Sequence, residues 1–130
     1  MASELILIIE DNEKNRKLER DILQFYGYRT IEADTAEEGI TLAQTTPPAL
    51  VLMDIQLPGM SGIEALHYLR ADPRTRAIPV IAVTASAMTH DRQQIMAAGF
   101  DGYQAKPIDV TQFVAAVRQA VERTAEGETP

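Results

Sequence analysis

The sequence contains no cysteine, and aromatic residues make up only 5% of its 130 residues. Without cysteine there can be no disulfide, no thiolate nucleophile and no cysteine-ligated zinc or iron–sulfur site, which is consistent with a reducing compartment. No apolar run is long enough to cross a membrane, and the run near the N-terminus lacks the basic leader of a signal peptide. We therefore expect a cytoplasmic protein.

Basic residues are also few, with 12 lysines and arginines against 19 acidic residues and a formal net charge of -7. No basic run could follow a phosphate backbone, so direct binding to nucleic acid is disfavoured. The 45% hydrophobic and 24% charged residues are typical of a globular protein, and the length suits one domain. We expect that domain to cover residues 1–123 and a flexible polar tail to cover 124–130.

Short apolar runs alternate with longer segments in which apolar residues recur at helical spacing. This alternation indicates βα units and therefore an α/β fold. Three of the runs are apolar at nearly every position, as expected for parallel strands that are covered on both faces. The predicted strands are Leu5–Ile9, Arg29–Ala33, Leu50–Met53, Ile78–Val83 and Tyr103–Ala105.

The first helix is predicted over residues 13–25. Its apolar positions are Leu18, Ile22 and Phe25, which recur at helical spacing. Gly27 follows and can adopt the left-handed conformation that ends a helix.

The other helices are predicted from their caps and stripes. Three of them begin after N-cap residues, which are Thr35, Ser61 and Asp109. The segment after Ala85 has no tidy apolar stripe, and we predict a mobile helix there that ends at Gly99.

Polar residues follow most of the predicted strands, at the edge where an α/β sheet binds its ligands. They are Glu10, Asp11, Asp54, Thr84 and Lys106. Singly, Asp11 and Thr84 could each cap a helix. Glu10 and Lys106 could each be a solvated surface charge. Asp54 directly follows a buried apolar run, where a carboxylate is unfavourable unless a cation or hydrogen-bond donors meet it.

Together these side chains favour a site for phosphoryl transfer. Carboxylates are the hard oxygen ligands that Mg²⁺ binds, and Mg²⁺ also takes phosphate oxygens. Zinc would need nitrogen or sulfur ligands, and the two histidines, His67 and His90, fall within predicted helices away from this edge. Asp54 could accept a phosphoryl group while Thr84 and Lys106 hold its remaining oxygens.

In these features the chain resembles the receiver domains of bacterial two-component response regulators, particularly the stand-alone type, from Leu5 to about Arg123. Four motifs carry the resemblance in the family's order along the chain. They are the acidic pair Glu10-Asp11, the acceptor Asp54 within the run Met53 to Gly62, the switch hydroxyl of Thr84 and the Lys106-Pro107 pair.

The resemblance implies a flavodoxin-like receiver fold, with a five-stranded doubly wound parallel sheet of order 2-1-3-4-5 flanked by five helices. It also implies a Mg²⁺ site. The metal ligands would be Asp11, Asp54 and the backbone carbonyl of Gln56, and Glu10 would reach the metal through water.

A switch is implied as well, in which Thr84 and Tyr103 respond to phosphorylation. Tyr103 could instead be an ordinary half-buried aromatic at the edge of the sheet. The peptide bond before Pro107 is expected to be cis, which only bonds to proline adopt at low cost. Gln56 and Ser86 vary across the family and should tune the rate of phosphoryl hydrolysis.

The function implied is a single-domain response regulator that accepts a phosphoryl group on Asp54. The donor would be a histidine kinase or a histidine phosphotransfer protein, and the signal would leave by contact with a downstream protein target. We expect a monomer with no nucleic acid or membrane partner. We expect no turnover enzyme, only Mg²⁺-dependent autophosphorylation and slow autodephosphorylation.

Two other classes of protein are alternatives to this interpretation. A small Mg²⁺-dependent phosphatase or phosphotransferase that forms an aspartyl phosphate, as haloacid-dehalogenase-like enzymes do, would carry Asp-x-Asp, whereas Gln56 stands two residues after Asp54. A flavodoxin-like cofactor binder would need a phosphate-binding loop rich in glycine, serine and threonine after the first strand. The acidic residues from Glu10 to Glu13 would repel a cofactor phosphate.

Overall fold

The computed structural model describes residues 4–85 and 89–127, in which five strands alternate with five helices. The strands are β1 (Leu5–Ile9), β2 (Arg29–Ala33), β3 (Leu50–Asp54), β4 (Val80–Thr84) and β5 (Gly102–Ala105). The helices are α1 (Glu13–Phe25), α2 (Ala36–Thr45), α3 (Gly62–Ala71), α4 (Thr89–Ala98) and α5 (Val110–Gly127). All paired strands are parallel and their order is β2-β1-β3-β4-β5, which confirms the predicted fold.

The sheet is buried on both faces because its central strands are apolar at nearly every position. On one face, alternate residues of β1 and β3 such as Leu7 and Met53 pack against α2, α3 and α4. On the other face, the intervening residues such as Ile8 and Leu52 pack against α1 and α5, including Phe113. Each strand therefore contributes to two cores, which fixes the register and holds the strand ends in place.

Three strands differ at their ends from the prediction. β5 begins one residue earlier, at Gly102, and β4 ends one residue later, at Thr84. β4 begins at Val80 and not at Ile78, because Pro79 has no N–H to donate to a neighbouring strand. β3 continues one residue beyond Met53, since Asp54 still pairs with Val83. The Asp54 carboxylate is therefore carried by the strand itself.

The buried face of α1 also differs from the prediction. Leu18 is 43% exposed and Phe25 is 82% exposed, so the predicted stripe of Leu18, Ile22 and Phe25 is wrong at two of its three positions. The buried residues are Glu19, Ile22 and Leu23, and the last two lie three and four residues after Glu19, on one face of the helix. The sequence pattern did not predict this face because Glu19, a charged residue, belongs to it.

The helix starts follow the predicted caps, with one change at α1. Oxygens of Thr35, Ser61 and Asp109 accept hydrogen bonds from backbone N–H groups three residues later, at 3.1, 3.2 and 3.0 Å. The cap of α1 is Asn12, whose side chain accepts from the N–H of Asn15 at 3.0 Å. The alternative that Asp11 caps this helix is therefore wrong.

The last two helices meet the limits of the described residues. α4 ends before Gly99, whose φ of 109° is the predicted left-handed stop, while its mobility stays a prediction. Ser86 lies outside the described residues. α5 continues past residue 123 to Gly127, because residues 122–126 contain no glycine or proline that would end it. Of the predicted tail, 128–130 lie outside the described residues. Within the described part of the chain, no helix is long and apolar enough to cross a membrane.

Candidate functional site

The carboxyl ends of the strands bring the predicted polar residues together at one edge of the sheet. Glu10 follows β1, Asp54 ends β3, Thr84 ends β4 and Lys106 follows β5. Glu10, Asp11 and Asp54 each place a carboxylate oxygen within 4.8 Å of the others. The backbone N–H of Lys106 donates to the carbonyl of Thr84 at 2.8 Å, which extends the pairing of β4 and β5 into the site.

Asp54 is only 5% exposed, and both of its carboxylate oxygens have donors. Oδ1 accepts a hydrogen bond from the backbone N–H of Gln56 at 2.9 Å, and Oδ2 accepts one from Lys106 Nζ at 3.0 Å. These donors offset the loss of hydration at the buried end of β3. The carboxylate is thereby fixed in one orientation, with its oxygens at the edge of the sheet.

Gly62 allows α3 to begin close to Asp54. A Cβ atom at this position would lie 2.6 Å from the carbonyl oxygen of Asp54, so only glycine fits without a shift of the backbone. The N–H of Gly62 donates to the carbonyl of Ile55 at 3.1 Å and closes the loop after β3. The run from Met53 to Gly62 ends in glycine for this steric reason.

Glu10 and Lys106 form a buried ion pair beside Asp54. Glu10 is 1% exposed, its Oε1 lies 2.7 Å from Lys106 Nζ, and its Oε2 accepts from the N–H of Asn12 at 3.1 Å. Burial raises the pKa of Glu10, and the contact with Lys106 opposes that rise. The alternative that both are solvated surface charges is therefore wrong.

Lys106 stays protonated at neutral pH. Burial lowers its pKa, but the contacts with Glu10 and Asp54 together outweigh burial and raise it. One ammonium group thus lies against two carboxylates, at 2.7 and 3.0 Å. A fixed positive charge at the acceptor is what a transferring phosphoryl group requires.

The three carboxylates suit a small divalent cation. They offer hard oxygen ligands, two of them buried and the third, Asp11, exposed at the surface. Among the described residues, Lys106 alone forms ion pairs with them. His67, on α3, is not among the clustered side chains of the described residues, and His90 belongs to α4. A hard cation such as Mg²⁺ fits this donor set better than zinc does.

Thr84 and Tyr103, the two residues of the predicted switch, lie on the neighbouring strands β4 and β5. Thr84 is the last residue of β4 and 1% exposed. Tyr103 is half-buried on β5, at the edge of the sheet, where Arg92 of α4 donates a hydrogen bond to its hydroxyl oxygen. The guanidinium carbon of Arg92 also lies 5.4 Å from the centre of the tyrosine ring. This position agrees with the simpler alternative for Tyr103, and its switching stays a prediction.

The peptide bond between Lys106 and Pro107 is cis, as the resemblance implied.

Glu19 is a buried acid that the sequence analysis does not predict. It is 1% exposed, and its Oε2 atom has no hydrogen-bond partner in the described part of the chain. Burial raises the pKa of Glu19 to about 8, with a further rise from the negative charges of Glu10 and Asp54.

A cavity of about 1310 Å³ lies at the opposite edge of the sheet and is distinct from this site. It is lined in part by arginines, of which Arg70 and Arg74 pair with acids of the fold. Arg70 donates to the carbonyls of Arg76 and Ile78 at 3.1 and 2.7 Å and pairs with Asp101 at 2.9 Å. Arg70 therefore links loops of the fold, and the candidate site remains the cluster of acids at the other edge of the sheet.

Comparison with known proteins agrees with this assignment. A family model described as the response regulator receiver domain matches residues 6–118. The polar-differentiation response regulator DivK of Brucella ovis is 45% identical over 113 residues, which are 87% of this chain and 92% of the relative. The chain thus spans nearly the whole length of a response regulator.

Two solved structures have the same fold over nearly their full length. The receiver domain of a sensor histidine kinase from Pseudomonas aeruginosa, with magnesium coordinated in its active-site cleft, is 30% identical with a TM-score of 0.86, covering 93% of this chain and 99% of that one. A CheY-like receiver domain protein from Methanospirillum hungatei is 28% identical with a TM-score of 0.85, covering 96% and 98%. This chain belongs to the response regulator receiver domain family of two-component signalling.

Proposed function

We propose that this chain is a single-domain response regulator that accepts a phosphoryl group on Asp54 in a Mg²⁺-dependent reaction. The observation that supports it most is the setting of Asp54, which has Lys106 at 3.0 Å and two further carboxylates within 4.8 Å. A nucleophilic carboxylate, a fixed cation and a cluster of metal ligands are the parts that phosphoryl transfer needs. Gln56 stands where a phosphatase of the Asp-x-Asp type would carry its second acid.

The metal ligands in this proposal are Asp11, Asp54 and the backbone carbonyl of Gln56, with Glu10 acting through water. The magnesium in the cleft of the Pseudomonas aeruginosa receiver domain supports this set, as does the choice of oxygen ligands here. When bound, Mg²⁺ would neutralise the crowded carboxylates and the charge on the phosphoryl oxygens.

The residues of the chain then have separate tasks. A carboxylate oxygen of Asp54 attacks the phosphorus atom, and the new O–P bond replaces the N–P bond of a phosphohistidine, whose nitrogen keeps the electron pair. Lys106 turns from the acceptor carboxylate to a phosphoryl oxygen. Its raised pKa keeps it charged during this step. Thr84, at the end of the neighbouring strand, would hold a second phosphoryl oxygen by hydrogen bonding.

The proposed phosphoryl donor is a histidine kinase or a histidine phosphotransfer protein. The proposed output is a phosphorylation-dependent contact with a downstream protein, made by a monomer in the cytoplasm. No catalytic turnover of a small substrate is part of this proposal. The acyl phosphate would be lost only by slow autodephosphorylation.

The test is incubation with acetyl phosphate and Mg²⁺ followed by intact mass measurement. A receiver should gain one phosphoryl group that persists for minutes or longer and should gain none when EDTA removes the metal. Continuous release of inorganic phosphate without a phosphorylated protein would support the phosphatase alternative. No mass gain with Mg²⁺ present would contradict both.

Asp11→Ala is expected to lose the Mg²⁺ site. Asp11 is the exposed member of the cluster, and no side chain of the described residues forms an ion pair with it, so its removal takes away a ligand without unpairing Lys106. Calorimetric titration should show that Mg²⁺ binds at least about 10-fold more weakly than to the wild type. Asp34→Asn, an exposed acid after β2 and outside the cluster, is the matched control. An unchanged titration in Asp11→Ala would remove this residue from the site.

Thr84→Ala is expected to uncouple Tyr103 from the acceptor. We infer that phosphorylation draws the Thr84 hydroxyl toward the phosphoryl group and lets the tyrosine ring move into the vacated space. The coupling free energy of such a switch is roughly 1–3 kcal/mol, enough to shift the population of its two states. Beryllofluoride, a phosphoryl mimic, should shift the ring resonances of Tyr103 in the wild type and not in the variant, with Tyr103→Phe identifying the signals. Equal shifts in both proteins would contradict the Thr84 route.

A further inference from the structure

Arg16 contacts the backbone of the acidic cluster directly. It lies in the first half of α1, and its Nη1 atom donates a hydrogen bond to the backbone carbonyl oxygen of Glu10 at 2.9 Å. The side chain is 22% exposed, so the guanidinium is largely enclosed between the helix and the sheet. None of the roles assigned above uses this contact.

With this contact, the N–H, the carboxylate and the carbonyl of Glu10 all have partners. The N–H of Glu10 donates to the carbonyl of Ala33 at 3.0 Å, and its carboxylate faces Lys106 at 2.7 Å. Its carbonyl lies beyond the last residue pair of β1 and β3, where the sheet no longer supplies a donor. Arg16 supplies a charged donor instead, which makes a stronger hydrogen bond than a neutral one.

The orientation of this peptide matters because it leads directly to Asp11. Within the described residues, no hydrogen bond or ion pair holds the Asp11 carboxylate. Its direction therefore depends on the backbone that carries it. A rotation of the peptide between Glu10 and Asp11 would move this carboxylate away from Asp54 while leaving the buried acids in place.

The guanidinium of Arg16 is itself held from the other side. Its Nε atom lies 3.2 Å from Oε1 of Glu32, a residue of β2 that stands opposite Ile8 in the sheet. A planar guanidinium can serve two acceptors in fixed directions at once, which a lysine ammonium does less well. Arg16 thus links the carbonyl at the end of β1 to a carboxylate on β2.

Arg20 shows how the contact of Arg16 differs from an ordinary salt bridge. It lies one turn further along α1, and its Nη1 atom bonds both oxygens of the same Glu32 at 3.2 Å. Arg20 therefore ties α1 to β2 as Arg16 does, but it makes no contact with Glu10 in the described structure. The difference between the two arginines is the bond to the carbonyl.

We propose that Arg16 is a positioning residue for the magnesium site, which directs the Asp11 carboxylate toward Asp54 by holding the carbonyl oxygen of Glu10. This inference rests on the proposed Mg²⁺ ligands and adds to them a residue that does not touch the metal. Partners that orient metal ligands affect metal affinity nearly as strongly as the ligands do.

The test compares Arg16→Met, Arg16→Lys and Arg20→Met by calorimetric titration with Mg²⁺. Arg16→Met should bind Mg²⁺ about 10-fold more weakly than the wild type, since the carbonyl of Glu10 loses its donor. Arg16→Lys should lie between the two, because one ammonium can still reach the carbonyl. Arg20→Met should match the wild type. In EDTA, the amide hydrogens of Asp11 and Asn12 should exchange faster in Arg16→Met than in Arg20→Met.

Equal losses of Mg²⁺ affinity in Arg16→Met and Arg20→Met would mean that both act through the packing of α1 on β2, and would overturn the proposal. So would an Arg16→Met protein that binds Mg²⁺ as the wild type does. If Arg16→Met does not fold, Arg16→Lys decides between the same outcomes. A wild-type protein that binds no Mg²⁺ would overturn the proposed metal site and this inference with it, whereas failure of the arginine variants alone leaves the metal site intact.

Discussion

An Asp54→Asn variant is expected to gain no phosphoryl group from acetyl phosphate and Mg²⁺ under conditions in which the wild type gains one. The amide has no anionic oxygen to attack phosphorus and cannot form an acyl phosphate. The carbonyl oxygen of the asparagine can still accept one of the hydrogen bonds that Gln56 and Lys106 donate to Asp54. Intact mass measurement at several reaction times gives the result directly.

The same variant should remain folded and should not be less stable than the wild type in the absence of metal. Asp54 is crowded by Glu10 and Asp11, so the loss of one negative charge relieves repulsion that no bound cation would otherwise offset. Urea denaturation in EDTA tests this point. Asp34→Asn makes the same chemical change at the same edge of the sheet and should be phosphorylated as the wild type is. A phosphoryl group found on another residue of Asp54→Asn would overturn the acceptor assignment.

The sequence predicts the buried strands and the position of Asp54 at the end of β3 for one physical reason. A parallel strand covered on both faces must be apolar along its length, so the point where Leu50 to Met53 gives way to Asp54 marks the end of the covered sheet. The same rule marks Glu10 and Thr84, at the ends of the buried strands β1 and β4, whereas β5 before Lys106 is only half-buried. Since all parallel strands end at one edge, their polar terminal residues meet there without further information.

The features that the sequence did not predict depend on contacts between separate elements. The buried face of α1 contains Glu19, which a pattern of apolar residues does not include. The apolar pattern therefore predicts a face with Leu18 and Phe25, which are exposed in the structure. The bond from Arg16 to Glu10 joins a helix to the strand before it, and no local pattern distinguishes Arg16 from Arg20. The ion pair between Lys106 and Glu10 likewise joins residues whose strands are separated by two others in the sheet.

Glu19→Gln is expected to remove much of the loss of stability that the wild type suffers as the pH rises from 5 to 8.5. Burial raises the pKa of Glu19 to about 8 in the folded protein, above its ordinary value of 4.5, with a further rise from the charges of Glu10 and Asp54. Between these two values the folded protein binds a proton that the unfolded chain has released. Below pH 4.5 Glu19 is protonated in both states and its burial costs no charge. As the pH rises from 4.5 to about 8, the free energy of unfolding falls, by roughly 3–5 kcal/mol in total once the pH exceeds 8.

The measurement is the free energy of unfolding in urea at intervals between pH 5 and 9, with EDTA present so that no cation shifts the acids of the site. Glu10 also has a raised pKa and contributes a slope of the same sign, so Glu19→Gln should flatten the profile without abolishing its slope. Glu19→Leu should flatten it equally, because the effect comes from the lost charge and not from the amide. Glu122→Gln, an exposed acid on α5, should leave the profile unchanged. Parallel profiles for the wild type and both Glu19 variants would mean that Glu19 ionises in the folded protein as it does in the unfolded chain, and the argument from its burial would fail.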